Sequence, residues 1–220
     1  MPVVLTVDQR NSRRGPDLVE AALARLRATP TLRPFERTAG DEFQGVLDQH
    51  VSVLDAIIDL VRDGHWSIGV GIGAVQQPLP PSTRAGRGPA FLHAREAVEA
   101  AKRHPRHLAV RADDEPAGQD LAAALGLLSI VIDDRTPTAW EAIDLARAGL
   151  TQAEIAAKLG VTRQAVGQRL TAAHRREEQE ARPAVLRLLG RVDRTEPAGR
   201  NRQPGGAQQV GRPGTTAAGR

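Results

Sequence analysis

Apolar positions along the first 112 residues switch between two periods. Residues 2–7 are an apolar, β-branched run ending at Asp8, and they read as a strand. Leu18, Ala22 and Leu26 recur every four positions and predict a helix over 17–27. Alternating residues over 34–47 flank Ala39-Gly40-Asp41, the pattern of a β-hairpin. Val51, Leu54, Ile57, Ile58 and Val61 predict a helix over 50–62 with these side chains inward. A Gly-rich strand over 66–75, a helix over 91–103 and a short strand over 108–111 follow. In the strand, the glycines of Gly69-Val-Gly-Ile-Gly73 lack the spacing of a phosphate loop and suit a closely approaching backbone. The order β-α-β-β-α-β-α-β predicts a sheet with helices on one face.

The sharpest local pattern lies further on. Thr151 followed by Glu154 is a capping box, which satisfies free N–H groups at a helix start. Ile155 and Leu159 share a face, and Gly160 permits the left-handed turn that ends the helix. Thr162 can cap a second helix in which Val166 and Leu170 repeat the spacing, and small Ala156 permits close crossing. This predicts a helix-turn-helix, the plain alternative being a helical hairpin in an all-α domain. Arg163, Gln164, Gln168 and Arg169 then face outward, with side chains that suit base edges and phosphates. We assign Arg163, Gln164 and Gln168 to bases, and Arg169 and Arg175 to phosphates. Trp140 reads as a core anchor of this unit.

The fold class is therefore α+β. A ferredoxin-like or palm domain (1–112) precedes a linker or dimerisation helix (113–134), an all-α helix-turn-helix domain (135–190) and a disordered basic tail (191–220). The hydrophobic stretch 121–132, 12 residues long, is too short to span a bilayer and suits a buried or dimer-forming helix. One recognition helix reads few bases, so a homodimer is expected on double-stranded DNA.

Charge sharpens this division. The net charge of +4 arises wholly in residues 191–220, which have six Arg against Asp193 and Glu196 and almost no large apolar side chain. Residues 135–176 carry seven Lys or Arg against three Asp or Glu, whereas 113–134 carry six acids and no base. Positive charge is thus concentrated where DNA would dock. The chain has no cysteine, which excludes a disulfide framework and thiolate metal sites, and no signal peptide is apparent; a cytoplasmic protein is expected. His104 and His107 read as solvated surface. The Pro- and Gly-rich residues 76–89 read as a mobile loop near a site on the sheet.

Residues 151–170 resemble the helix-turn-helix of MarR-type regulators and of sigma factor region 4, which implies a second helix in the major groove. Ala39-Gly-Asp-Glu-Phe43 resembles the signature hairpin of GGDEF diguanylate cyclases. Asp8-Gln-Arg-Asn-Ser12 is similar to the first metal loop of class III nucleotide cyclases, and residues 66–73 to the strand after the hairpin in both families. Ala94-Arg-Glu-Ala-Val-Glu-Ala-Ala-Lys102 resembles the helix whose lysine touches nucleotide phosphate in GGDEF proteins. Together with Gly40 to Gln44, Gly88 to Phe91 and the following residues 94–97, these motifs resemble the SatD family over about residues 2–176.

The resemblance implies Mg²⁺ held by Asp8 and Asp41 with help from Glu42, a nucleotide ligand, and Lys102 on its phosphates. Arg10 and the lack of a following Phe and Lys depart from the diguanylate cyclase pattern, and the Asn and Asp that read guanine in that family have no clear counterpart. Three functions follow: a regulator whose degenerate cyclase-like domain is a sensor or dimeriser, a metal-dependent nucleotidyl cyclase or transferase carrying a DNA-binding module, and a nucleotide sensor without turnover. On plain structural grounds Gly40-Asp41 makes a tight turn and Asp8 caps a loop.

Overall fold

The computed structural model describes residues 1–194, so most of the tail expected to be disordered, 195–220, lies outside the described residues. Strands β1 (Val3–Gln9), β2 (Arg33–Ala39), β3 (Glu42–Leu47), β4 (Trp66–Ile72) and β5 (Leu108–Ala112) form one mixed sheet in the order β2-β3-β1-β4-β5. β1 runs antiparallel to β3 and β4, β2 and β3 form the hairpin, and β4 and β5 are parallel.

The period-2 pattern of β1 divides two apolar layers. Val3, Leu5 and Val7 join the large core beneath helices α1 (Val19–Leu26) and α2 (His50–Asp63). Val4 points the other way, with Val46, toward Ala90, Phe91 and Ala94 of helix α3 (Pro89–Ala101). The sheet is therefore covered on both faces, rather than on the one face that the element order suggested. Glycines make the second layer possible: a Cβ at Gly69 would lie 2.3 Å from Val98 N, and one at Gly71 2.2 Å from Ala90 O. Only bare backbone lets α3 lie this close to β4. On α2, Val51 is half exposed rather than inward, while Leu54, Ile57, Ile58 and Val61 are buried.

The loop after β4 does not border the cleft described below. It is pinned to edge strand β2: Arg33 Nη2 donates to Leu79 O at 2.6 Å, and Glu36 Oε2 accepts from Ser82 Oγ at 2.7 Å and Thr83 N at 3.0 Å. It thus shields an edge that would otherwise offer free backbone groups.

Helix α4 (Glu115–Asp133) begins with Asp114 accepting from Ala117 N at 3.0 Å. It buries Leu121, Leu125, Leu128 and Ile132 and contacts β5, α2 and the last helix, leaving Leu127 and Ile130 exposed. By length and composition alone, α4 is long and apolar enough to cross a membrane. Helices α5 (Pro137–Arg147), α6 (Gln152–Leu159), α7 (Arg163–Ala172) and α8 (Arg175–Arg194) complete the described chain. Thr136, Thr151 and Thr162 cap α5, α6 and α7 through side-chain oxygens, and Gly160 ends α6 at φ 64°. Ile155 of α6 and Val166 of α7 pack with Trp140 and Ile143 of α5 in the same core. Despite Pro183, α8 continues past residue 190, because Val185, Leu189 and Val192 form a buried stripe.

Candidate functional site

A cleft of about 880 Å³ opens where β1 ends, lined by Asp8, the loop 9–17, the hairpin tip Gly40-Asp41 and Lys102 just past α3. Asp8, Asp41 and Lys102, far apart in sequence, therefore share one site. The antiparallel ladder accounts for part of this: Asp8 pairs with Glu42, so the hairpin tip falls beside the end of β1, and Gln9 N donates to Asp41 O at 3.1 Å.

The loop is held by a buried glutamine. Gln9 Nε2 donates to Pro16 O at 2.7 Å, and its Oε1 accepts from Leu18 N at 2.9 Å. Both ends of its amide are satisfied, so burying it carries little penalty and fixes the loop's span. Arg37 fastens the opposite wall, donating to Asp17 Oδ2 at 2.7 Å and to Gly40 O at 2.7 Å. Arg13 and Arg14, on the loop's outer part, line the cleft and are exposed, and neither guanidinium has a hydrogen-bond or ion-pair partner among the described residues. Sequence reasoning passed over both, and over Gln9. Adjacent arginines in a Gly-Pro loop directly after a strand were the available signal for the pair.

Lys102 Nζ lies 2.9 Å from Asp8 Oδ2 and 2.8 Å from Glu99 Oε1. Burial acts to lower the lysine, but its bonds to Glu99 and Asp8 outweigh this and hold it above the ordinary range. Burial raises Asp8, and the Asp41 and Glu99 charges add to it; the Lys102 bond and charge oppose without cancelling. Glu42 is not part of this arrangement: its Oε1 accepts from Thr38 Oγ1 at 2.6 Å, and it does not line the cleft. Among the described residues no group of three His, Cys, Asp or Glu side chains is placed to hold a metal ion. The set Asp8, Asp41 and Glu42 does not converge, and a protein ammonium already sits on Asp8.

The second set of sequence-assigned residues divides. Arg163, Gln164 and Gln168 are exposed on α7, the two glutamines one turn apart. Arg169 is partly buried, with Nη1 3.9 Å from Glu141 Oε2 of α5. Arg175 is set apart from this row. It lines another cleft with Asp55, Asp59 and Glu178, and donates to Gln179 Oε1 at 3.1 Å.

That second cleft adjoins a charged joint between α2 and the C-terminal helices. Trp140 is buried, with the guanidinium carbons of Arg62, Arg135 and Arg147 at 4.3, 4.8 and 5.4 Å from its ring. Arg62 pairs with Asp144 at 2.8 Å, and buried Glu178 lies 2.8 Å from Arg135 and 3.0 Å from Arg147. Arg182 links Glu178 to Asp55 of α2. The joint ties α5 and α8 to α2 through charged contacts, and Arg135 Nε donates to Ala173 O, just past α7, at 2.8 Å.

No protein-family profile, curated protein or solved structure matches this chain.

Proposed function

We propose that this chain is a cytoplasmic DNA-binding transcriptional regulator, in which α6 and α7 form a helix-turn-helix and the sheet domain is a degenerate, cyclase-like sensor or dimeriser. The observation that carries this is the exposed row Arg163, Gln164 and Gln168 on a helix whose start is capped by Thr162 and which follows the turn at Gly160. Amide side chains one turn apart suit adenine edges, and arginine suits guanine, in a major groove wide enough for a helix. Arg169 and Arg175 contribute less than the sequence suggested, because Glu141 and the α8 cleft engage them.

For the sheet domain, the order β2-β3-β1-β4 is antiparallel throughout, with α1 and α2 on one face. This favours a ferredoxin-like, palm-type split βαβ extended by α3 and β5. The cleft at Asp8, Asp41 and Lys102 supports a ligand-binding sensor. Metal-dependent nucleotidyl transfer draws less support, since Glu42 bonds Thr38 and Lys102 occupies Asp8.

The test is fluorescence anisotropy of the full chain with labelled duplex DNA across a salt series. Binding should weaken steeply with salt, with a log–log slope of about −0.9 per phosphate neutralised. Arg163→Ala with Gln164→Ala should lower affinity by about 1–3 kcal/mol and relax sequence preference while leaving the slope nearly unchanged. Unchanged affinity and sequence preference in the double variant would remove α7 as the recognition helix.

A further inference from the structure

We propose that the cleft at the end of β1 binds a phosphate-bearing anion without a metal ion, with Lys102, Arg13 and Arg14 supplying the positive charge. This rests on the sheet domain being a ligand sensor, and it names that ligand's chemistry.

The cation balance of the cleft points this way. Of its acids, Asp17 is neutralised by Arg37 and Asp8 by Lys102. Arg13 and Arg14 face the cleft without a partner among the described residues. An ammonium has three donors. Lys102 directs two of them at Asp8 and Glu99, leaving one for a ligand. Guanidinium groups match phosphate oxygens in forked pairs, so two adjacent arginines and a lysine across the cleft suit a polyphosphate more than a single carboxylate.

A divalent ion fits poorly. At Asp8 it would displace or adjoin the Lys102 ammonium, and Glu42, the third carboxylate, is turned toward Thr38. The loop is nonetheless built: buried Gln9 spends both ends of its amide on closing residues 9–18, and Arg10 N donates to His65 O at 2.8 Å. A fixed loop presenting cations that are unpaired among the described residues over a cleft of about 880 Å³ preorganises an anion site, lowering the ordering cost on binding.

Asp41 gives the proposal a sign. Its carboxylate has no neutralising partner among the described residues, so it opposes an incoming anion directly. If a metal bridged ligand and protein, Asp41 would instead be needed. Isothermal titration of the full chain with sodium tripolyphosphate, in EDTA and separately in Mg²⁺, reads this difference. We expect saturable binding in EDTA at least as tight as in Mg²⁺. Arg13→Ala with Arg14→Ala, and separately Lys102→Met, should each weaken it about tenfold. Asp41→Asn should tighten it several-fold. The arginine substitutions remove no side-chain hydrogen bond or ion pair within the described residues, so a loss of binding with an unchanged melting curve is not a folding effect.

Binding that requires Mg²⁺, or that Asp41→Asn abolishes, overturns the metal-free site while keeping a ligand sensor. No binding in either buffer overturns both the site and the sensor. Duplex DNA binding measured on the same samples shows whether the DNA-binding function survives that outcome.

Discussion

Lys102, directly after α3, reaches Asp8 near the end of β1, with Nζ 2.9 Å from Oδ2. The contact ties the helix on one face of the sheet to its central strand, beside the hairpin tip. Burial raises the Asp8 carboxyl, aided by Asp41 and Glu99, while Lys102 works against it. Asp8 should therefore titrate above the ordinary aspartate value of about 3.9. Site-specific carboxyl NMR across pH 2–8 measures this directly. Lys102→Met should move the midpoint further up, and Asp41→Asn should move it down. A midpoint at or below the ordinary value would mean that the lysine outweighs burial. The linkage sign follows: a raised folded pKa favours folding at low pH, and that contribution is lost as pH rises through the folded value.

Gly71 and Gly126 should respond to alanine in opposite directions. A Cβ at Gly71 would meet Ala90 O and Ala94 N, both at 2.2 Å, and backbone cannot swing aside as a side chain can. Gly71→Ala should cost about 3 kcal/mol or more by forcing α3 off the sheet. A Cβ at Gly126, within α4, meets nothing within 4 Å. Gly126→Ala should stabilise by about 1 kcal/mol through helix propensity alone. Urea unfolding of both variants tests the contrast, and a harmless Gly71→Ala would refute the close packing of α3.

Thr151 caps α6 through Glu154 N, and Glu154 returns the bond to Thr151 N at 2.7 Å. Thr151→Ala should cost about 1 kcal/mol by leaving these N–H groups to water. Because the cap fixes the start of α6, the same variant should weaken duplex DNA binding without changing its salt slope, since no phosphate contact is lost. Denaturant unfolding and anisotropy on one preparation measure both effects.

These cases show which parts of the structure were legible in the sequence. Caps, the left-handed turn at Gly160 and the Gly40-Asp41 tip were readable, because each is decided by residues within a few positions. The close backbone approach at Gly69 and Gly71 was readable as a need, but not its partner, and so the second face of the sheet was missed. The turning of Glu42 to Thr38 depends on hairpin geometry, and the engagement of Arg175 in the α8 cleft on chain distant in sequence. Helix α8 went unassigned although Val185, Leu189 and Val192 carry a helical spacing, because Pro183 and the dense charge mask it. Composition could not reveal that Arg13 and Arg14 lack hydrogen-bond and ion-pair partners among the described residues, since that depends on what the folded loop leaves out of reach.

Glu178 should govern the acid stability of the C-terminal helices. Its carboxylate is buried against Arg135, whose side chain is 0% exposed. Burial pushes the Glu178 carboxyl up, but the Arg135 bond and charge, with Arg147, outweigh it and hold the group below the ordinary glutamate range. A depressed folded pKa gives stability that is fully present above the unfolded value and is lost as pH falls through the folded one. Wild-type stability should thus decline from about pH 4.3 downward. Glu178→Gln removes the charge at every pH and leaves Arg135 buried without its counter-ion, costing about 3 kcal/mol at pH 7. The gap between variant and wild type should then close as the wild type is acidified. Asp59, lining the same cleft, carries the opposite sign: burial raises its carboxyl. Asp59→Asn should therefore stabilise the protein at pH 7, where the buried charge is present. Melting curves of both variants between pH 3 and 7 separate the two signs, and a constant gap for Glu178→Gln across that range would show that its charge does not hold the joint around Trp140.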